Sequence, residues 1–179
     1  MTAWRRGPRE DRGLRFAPMR RRDLRTILQI EHQVFPEPWS EAVFASELAL
    51  PTGRAYRVAW RGRDLAGYVG VMFVDDEAHV TTIAVAPHFQ HQGVGTSLLL
   101  EVVQLSRSQG VRHLTLEVAA GNERAQALYR LFGFVPVGIR KGYYAKTGED
   151  AYVMWAHDID GDAYAERVAG IQAQLRSRP

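Results

Sequence analysis

Two glycines one residue apart carry the clearest chemical signal in this 179-residue chain. Gly93 and Gly95 lie in QHQGVGTSLLLEVV, Gln90 to Val103, directly after the strand-like run TTIAVAP and at the start of apolar residues with helical spacing. A glycine-bearing turn in that position leaves several N–H groups unpaired at a helix N-terminus, where the helix dipole adds about half a positive charge. Such a turn suits a pyrophosphate; the same glycines also serve as a plain tight turn between strand and helix. Two other phosphate-binding designs fit less well. A P-loop needs GxxxxGK[ST], and no lysine occurs before Lys141, so its backbone cradle would lack the cation. A GxGxxG dinucleotide fingerprint would place its third glycine where this chain has Leu98, which weakens that reading.

Other chemistries are bounded by composition. Cysteine is absent, which removes a disulfide scaffold, a thiolate metal site and a cysteinyl intermediate together. Ser97 and His91 have no evident triad partners, so a covalent intermediate is not supported. His79, His88 and His91 lack cysteines or clustered carboxylates beside them, and no metal is expected. The longest apolar run, Leu65 to Val74, is half of the roughly 20 residues that a membrane-spanning helix needs, and it reads as a buried strand. The basic start, MTAWRRGPREDRG, is followed by no apolar segment of a secretory signal, so a cytoplasmic protein with no membrane association is expected. Residues 1 to 25 hold nine Arg against Glu10, Asp11 and Asp23; that is +6 of a total of +3, leaving −3 for the remainder. Such an arm reads as a solvated extension rather than a nucleic-acid-binding segment.

The elements that must position these residues follow from periodicity. LRFAPM, Leu14 to Met19, reads as a first strand. Asp23 is placed to cap a helix whose apolar face is Leu24, Ile27, Leu28, Ile30 and Val34. The prolines of FPEPW end that helix, and Ser40 is placed to cap the next, SEAVFASELAL, which stops at Pro51. YRVAW, LAGYVGVMFV and AHVTTIAVA, separated by the turns RGRD and DDE, predict an antiparallel meander. A helix from about Gly95 to Gln109 turns Leu98, Leu99, Val102 and Leu105 inward and closes at Gly110. A strand, Arg112 to Val118, and a helix from about Asn122 to Phe132 follow, the latter closed by Gly133. FVPVGI and AYVMWAH predict a hairpin joined by the loop RKGYYAKTGED. In the tail, Tyr164, Val168, Ile171 and Leu175 share one helical face, suited to docking on the domain or on a second subunit. The fold class is α/β in the broad sense, α+β in detail: one mixed, mostly antiparallel sheet with helices on both faces. The expected organisation is a flexible basic arm over residues 1–13, a catalytic domain over 14–158 and a helical tail over 159–179.

With these elements in place, TTIAVAPHFQHQGVGTSLL resembles the acetyl-CoA-binding motif of the GNAT acetyltransferases, Q/R-x-x-G-x-G/A, with Gln90, Gly93 and Gly95 at its fixed positions. LEVAAGNERAQALYRLFGF is similar to the following strand and helix of that superfamily. FPEPWS and GYY at 142 to 144 are similar to its RimI type, the ribosomal-protein alanine N-acetyltransferases, and the resemblance runs from about Leu14 to Asp158. It implies a GNAT-like sheet with a splayed parallel strand pair at the cofactor site, and direct transfer of acetyl from acetyl-CoA to an amine. Glu117 matches the family's general base. A carboxylate with a pKa near about 4.3 is a weak base, so burial or a water relay would have to assist it. Tyr129 matches the general acid; its phenol, pKa about 10, can return a proton to a departing thiolate. Ile83, Ala84 and Val85 are implied to pair with the pantetheine arm and to offer an N–H to the thioester carbonyl. His91, Gln92, Gly93, Val94, Gly95 and Thr96 are implied to hold the pyrophosphate. Asn122 matches a cofactor-contacting position and also sits where a helix N-cap belongs. Many family members carry Arg where this chain has His91, so lower or more pH-dependent cofactor affinity is expected.

The amine is constrained by acidity. An α-amino group with a pKa of about 7.7 to 8.0 is roughly a tenth free base at neutral pH, whereas lysine near 10.4 supplies about a thousandth. A single weak base suits the N-terminus, and the resemblance points to the N-terminal alanine of a small ribosomal-subunit protein. Phe35, Trp39, Tyr143 and Tyr144 are the expected walls of its peptide groove. Two other readings stay open: a GNAT enzyme for a small amine such as a polyamine, an aminoglycoside or an amino acid, and a module that holds acyl-CoA without turnover.

Overall fold

Runs of valine, alanine and aromatic residues with period two build a mixed sheet of eight strands in the computed structural model, which describes residues 9–177 apart from residue 12. In chain order these are β1 (Arg9–Asp11), β2 (Leu14–Pro18), α1 (Leu24–Val34), α2 (Glu41–Ala49), β3 (Arg54–Arg61), β4 (Asp64–Val74) and β5 (Glu77–Val85). There follow α3 (Val94–Ser108), β6 (His113–Ala119), α4 (Glu123–Leu131), β7 (Val135–Tyr144), β8 (Glu149–Ala156) and α5 (Asp162–Ser177). The sheet order is β1-β2-β3-β4-β5-β6-β8-β7, and among the described residues only β5 and β6 pair in parallel.

Strand alternation divides the core between the two faces of the sheet. From β4, Leu65 and Tyr68 join α1 and α2 residues such as Ile27, Ile30 and Phe44, while Ala66 and Val69 join α3, α4 and α5. Local signals end the helices as their chemistry requires. Ser40 accepts the Val43 N–H at 3.3 Å to open α2, and Gly110 and Gly133, with φ of +77° and +81°, follow α3 and α4 in a conformation that favours glycine.

The parallel pair is short. Its pairing runs from Glu77 opposite His113 to Val80 opposite Leu116 and stops there, although β5 continues to Val85 and β6 to Ala119. The two strands therefore part, while β5 stays bonded to β4 as far as Val85 opposite Gly67. Gly67 is needed at that point: a Cβ there would lie 2.5 Å from the Ala84 carbonyl oxygen.

Several expectations are corrected. Asp23 does not cap α1; its backbone is already helical, and its carboxylate accepts the Arg20 N–H at 2.8 Å across the 3-10 turn Arg21–Asp23. The segment RKGYY is strand rather than loop, with register shifts after Pro136 and Arg140, so the connection shrinks to residues 145–148. Polar and glycine residues are tolerated there because β7 is an edge strand, exposed along almost its whole length. The tail docks on the domain, one of the two surfaces expected for it. Tyr164, Val168, Ile171 and Leu175 are buried in the same core as α3 and β6, and the Tyr164 hydroxyl donates to the Phe132 carbonyl at 2.8 Å. Within the basic arm, Arg9–Asp11 pair with β2; residues 1–8 lie outside the described residues. Among the described residues no helix is long and apolar enough to cross a membrane.

Candidate active site

A cleft of about 870 Å³ opens where β5 and β6 part. Thr81 and Ile83 of β5, Glu117 and Val118 of β6, Asn122, and Ala125 and Tyr129 of α4 line it. Further lining comes from the loop after α1, with Phe35 and Trp39, and from the end of β7, with Tyr143 and Tyr144. All four aromatics expected at a peptide groove thus meet in the cleft that holds Glu117 and Tyr129.

Glu117 is anchored from two sides. Its Oε2 lies 2.9 Å from His79 Nε2 and its Oε1 3.1 Å from a terminal nitrogen of Arg140. His79 Nδ1 lies 3.0 Å from Thr115 Oγ1, which fixes the ring between its two neighbours. The hydrogen bond from His79 holds the Glu117 carboxyl below its ordinary range and outweighs the opposing effect of burial, with the Arg140 charge acting in the same downward direction. The expected help from burial is therefore absent. Glu117 enters the reaction as an ionised carboxylate at neutral pH, not as a carboxyl tuned upward.

Tyr129 has the opposite character. It is buried on the inner face of α4, its ring 5.9 Å from that of Phe134. Its hydroxyl has no hydrogen-bond partner among the described residues. Burial, with the neighbouring Tyr144, pushes the phenol well above its usual range, so the proton stays on the oxygen. An unpartnered hydroxyl that keeps its proton can donate to an anion formed beside it.

The glycine turn has two distinct functions. Gly93 has φ of +80°, which only glycine adopts freely. Gly95 lies in the first turn of α3 beside Leu128 of α4 and Val85 of β5, which a Cβ there would meet at 3.4 and 3.6 Å. Ser97 N–H bonds to the Gly93 carbonyl at 3.0 Å, so the amides of Val94, Gly95 and Thr96 precede the first turn's acceptors. Side chains brace the loop beneath them. Gln90 Nε2 donates to the Val85 carbonyl at 3.3 Å, Gln92 Nε2 donates to the His88 carbonyl at 2.8 Å, and Arg61 donates to Gln92 Oε1. An unpaired β5 edge leading to a helix N-terminus fits a ligand that is amide-bearing at one end and phosphorylated at the other.

Residues 24–134 match the Acetyltransferase (GNAT) family. The chain belongs to that family, in its RimI type. Mycobacterium tuberculosis N-alpha-acetyltransferase RimI is 40% identical over 140 residues, 75% of this chain and 86% of that one. The Escherichia coli (strain K12) ribosomal protein bS18-alanine N-acetyltransferase is 38% identical over 137 residues, covering 74% and 89%. The crystal structure of the Escherichia coli ribosomal-protein-S18-alanine N-acetyltransferase superposes with a TM-score of 0.74 at 33% identity, over 81% of this chain and 94% of that chain.

In this GNAT chain, sequence reading overlooked three side chains that the structure brings to the site. His79 entered only as a rejected metal ligand, yet it is the residue that sets the state of Glu117. Glu31, 1% exposed, accepts the Trp39 N–H at 2.7 Å and the Tyr68 hydroxyl proton, and so ties the loop after α1 to the sheet. Burial raises its pKa against the effect of those two bonds. Arg124, on the first turn of α4, reaches the glycine turn. None of the three contacts has a local sequence signature, because each joins separate elements. Asn122 does cap α4, its side chain accepting the Ala125 N–H at 3.1 Å. Among the described residues, no group of three or more His, Cys, Asp or Glu is arranged to hold a metal ion.

Proposed function

We propose that the chain transfers acetyl from acetyl-CoA directly to the N-terminal α-amino group of a protein. Its closest functional guide is the substrate in its relatives' names, the N-terminal alanine of ribosomal protein bS18. The observation that carries this reading is the convergence of an ionised Glu117 and a protonated Tyr129 on one cleft, beside the unpaired stretch of β5.

When bound, acetyl-CoA supplies an activated acyl thioester. The residues fitted to hold it are Ile83, Ala84 and Val85 along the open β5 edge, and His91 to Thr96 at the start of α3, with Asn122 alongside. An amide of that edge would polarise the acyl oxygen. Glu117 orients the nitrogen of the N-terminal amine in its free-base form and offsets the positive charge that grows there during attack. It accepts the nitrogen's proton late, when that nitrogen has become far more acidic, and His79 and Arg140 keep the carboxylate in place meanwhile. Tyr129 donates a hydrogen bond from its protonated hydroxyl to the departing sulfur and so stabilises the thiolate as the bond breaks. A carboxylate held ionised is a poor match for lysine, whose nitrogen is almost wholly protonated at neutral pH, and a better match for an α-amine that is already partly free.

Incubation with acetyl-CoA, an Ala-initiated basic peptide and a panel of polyamines, aminoglycosides and amino acids tests the reading. Acetylated peptide, detected by mass and formed with the highest kcat/KM of the set, is expected. Product from small amines alone would overturn it.

A further inference from the structure

The glycine turn lacks a cation of its own, since the motif position that carries Arg in many family members is His91 here. The fold brings one from elsewhere. A terminal nitrogen of Arg124, at the second residue of α4, lies 2.9 Å from His91 Nε2 and 3.3 Å from Gln90 Oε1. Both acceptors belong to the turn that precedes Gly93. His91 holds a φ of +63°, a left-handed conformation that non-glycine residues rarely adopt, and in that conformation its ring meets α4.

We propose that Arg124 is the cofactor-phosphate ligand that the motif lacks at position 91, with His91 as its positioning residue. The inference rests on the acetyl-CoA reading given above. Three observations carry it. First, Arg124 has no carboxylate partner among the described residues; its recorded partners are a neutral amide oxygen and an imidazole nitrogen, so its charge is uncompensated. Second, a guanidinium has no acceptor of its own, so in this contact it donates to the His91 ring, which holds the arginine against the turn. Third, both acceptors of Arg124 lie in the three residues that precede Gly93, so the guanidinium stands at the turn that leads into α3. Its planar fork can pair with phosphate oxygens through the nitrogens that His91 and Gln90 do not use.

The test is calorimetric binding of CoA to the full-length protein, wild type against Arg124→Ala, Arg124→Lys, His91→Ala and the double variant. Loss of a charge-assisted phosphate contact is expected to raise Kd about tenfold in Arg124→Ala. Arg124→Lys should recover part of that loss. His91→Ala should raise Kd about threefold, and the double variant should match Arg124→Ala, because His91 acts through the arginine. A kinetic arm separates this from a structural effect. The ratio of kcat/KM for acetyl-CoA to that for S-acetylpantetheine, which lacks the nucleotide phosphates, should fall about tenfold in Arg124→Ala. A Kd within twofold of wild type in Arg124→Ala, or an unchanged ratio, would overturn the proposal while leaving the acetyltransferase reading intact. Wild-type protein that fails to bind CoA would overturn both.

Discussion

Glu117 and Tyr129 are two titratable side chains in one cleft whose surroundings push them in opposite directions: a carboxylate kept charged and a phenol kept neutral. Glu117→Gln keeps the shape and removes the charge, and Tyr129→Phe keeps the ring and removes the proton. Each is expected to lower kcat by about 10² to 10³ with little change in CoA affinity, measured by steady-state kinetics and calorimetry; unchanged turnover in both variants would remove the two residues from the chemistry. The Glu117 environment also has a stability consequence with a definite sign. Its folded pKa lies below the unfolded value, so the stabilisation is complete above the ordinary carboxylate range and is lost as pH falls through the lower folded value. Urea unfolding between about pH 2 and 6 should show a flatter acid decline in Glu117→Gln than in wild type. The glycine motif was legible because its residue types and spacing are local. The direction of the Glu117 shift was not, because it depends on His79 from the neighbouring strand and Arg140 from the edge strand.

At the scale of elements, the cleft exists because the β5–β6 pair ends early and the loop after α1 is tied down opposite it. Glu31 makes that tie, with both oxygens committed to Trp39 and Tyr68. Replacing it with Gln removes a buried charge that is fully hydrogen-bonded and leaves one neighbour poorly matched, at a cost of about 1 to 3 kcal/mol. Chemical denaturation should show that loss, and KM for the peptide should rise more than KM for acetyl-CoA if Phe35 and Trp39, which line the cleft, form the proposed peptide wall. Equal effects on both substrates would mean that Glu31 supports the whole sheet and not the loop. Most of these elements could be read from periodicity: the meander, the capped α2, the glycine-terminated α3 and α4. The first part of β7, within FVPVGI, was legible too, but its continuation through RKGYY was not, since period-two alternation arises from having one buried face and that stretch of the edge strand has none.

For the whole molecule, the C-terminal helix is the least expected contributor to the site. Leu175 is buried, and a Cβ at Gly93 would lie 3.0 Å from its Cδ2, so the last turns of α5 support the glycine turn from beneath. Leu175→Ala should cost about 2 to 5 kcal/mol through the cavity it leaves and should weaken CoA binding as well; a stability loss with unaltered CoA affinity would limit α5 to a structural part. The amphipathic face of the tail was visible in the sequence, but not the surface it covers, because periodicity identifies an apolar face without identifying its partner. The two core clusters, the splayed strands and the docked tail hold one cleft in which an α-amine is the substrate that the charges suit. The central claim is tested most directly by tandem mass spectrometry of a peptide that begins with alanine and also contains lysines, after reaction with acetyl-CoA and the enzyme. The account predicts a single acetyl group on the alanine α-nitrogen and none on a control peptide whose N-terminus is blocked. Acetyl on the lysines, or product from the blocked peptide, would contradict it.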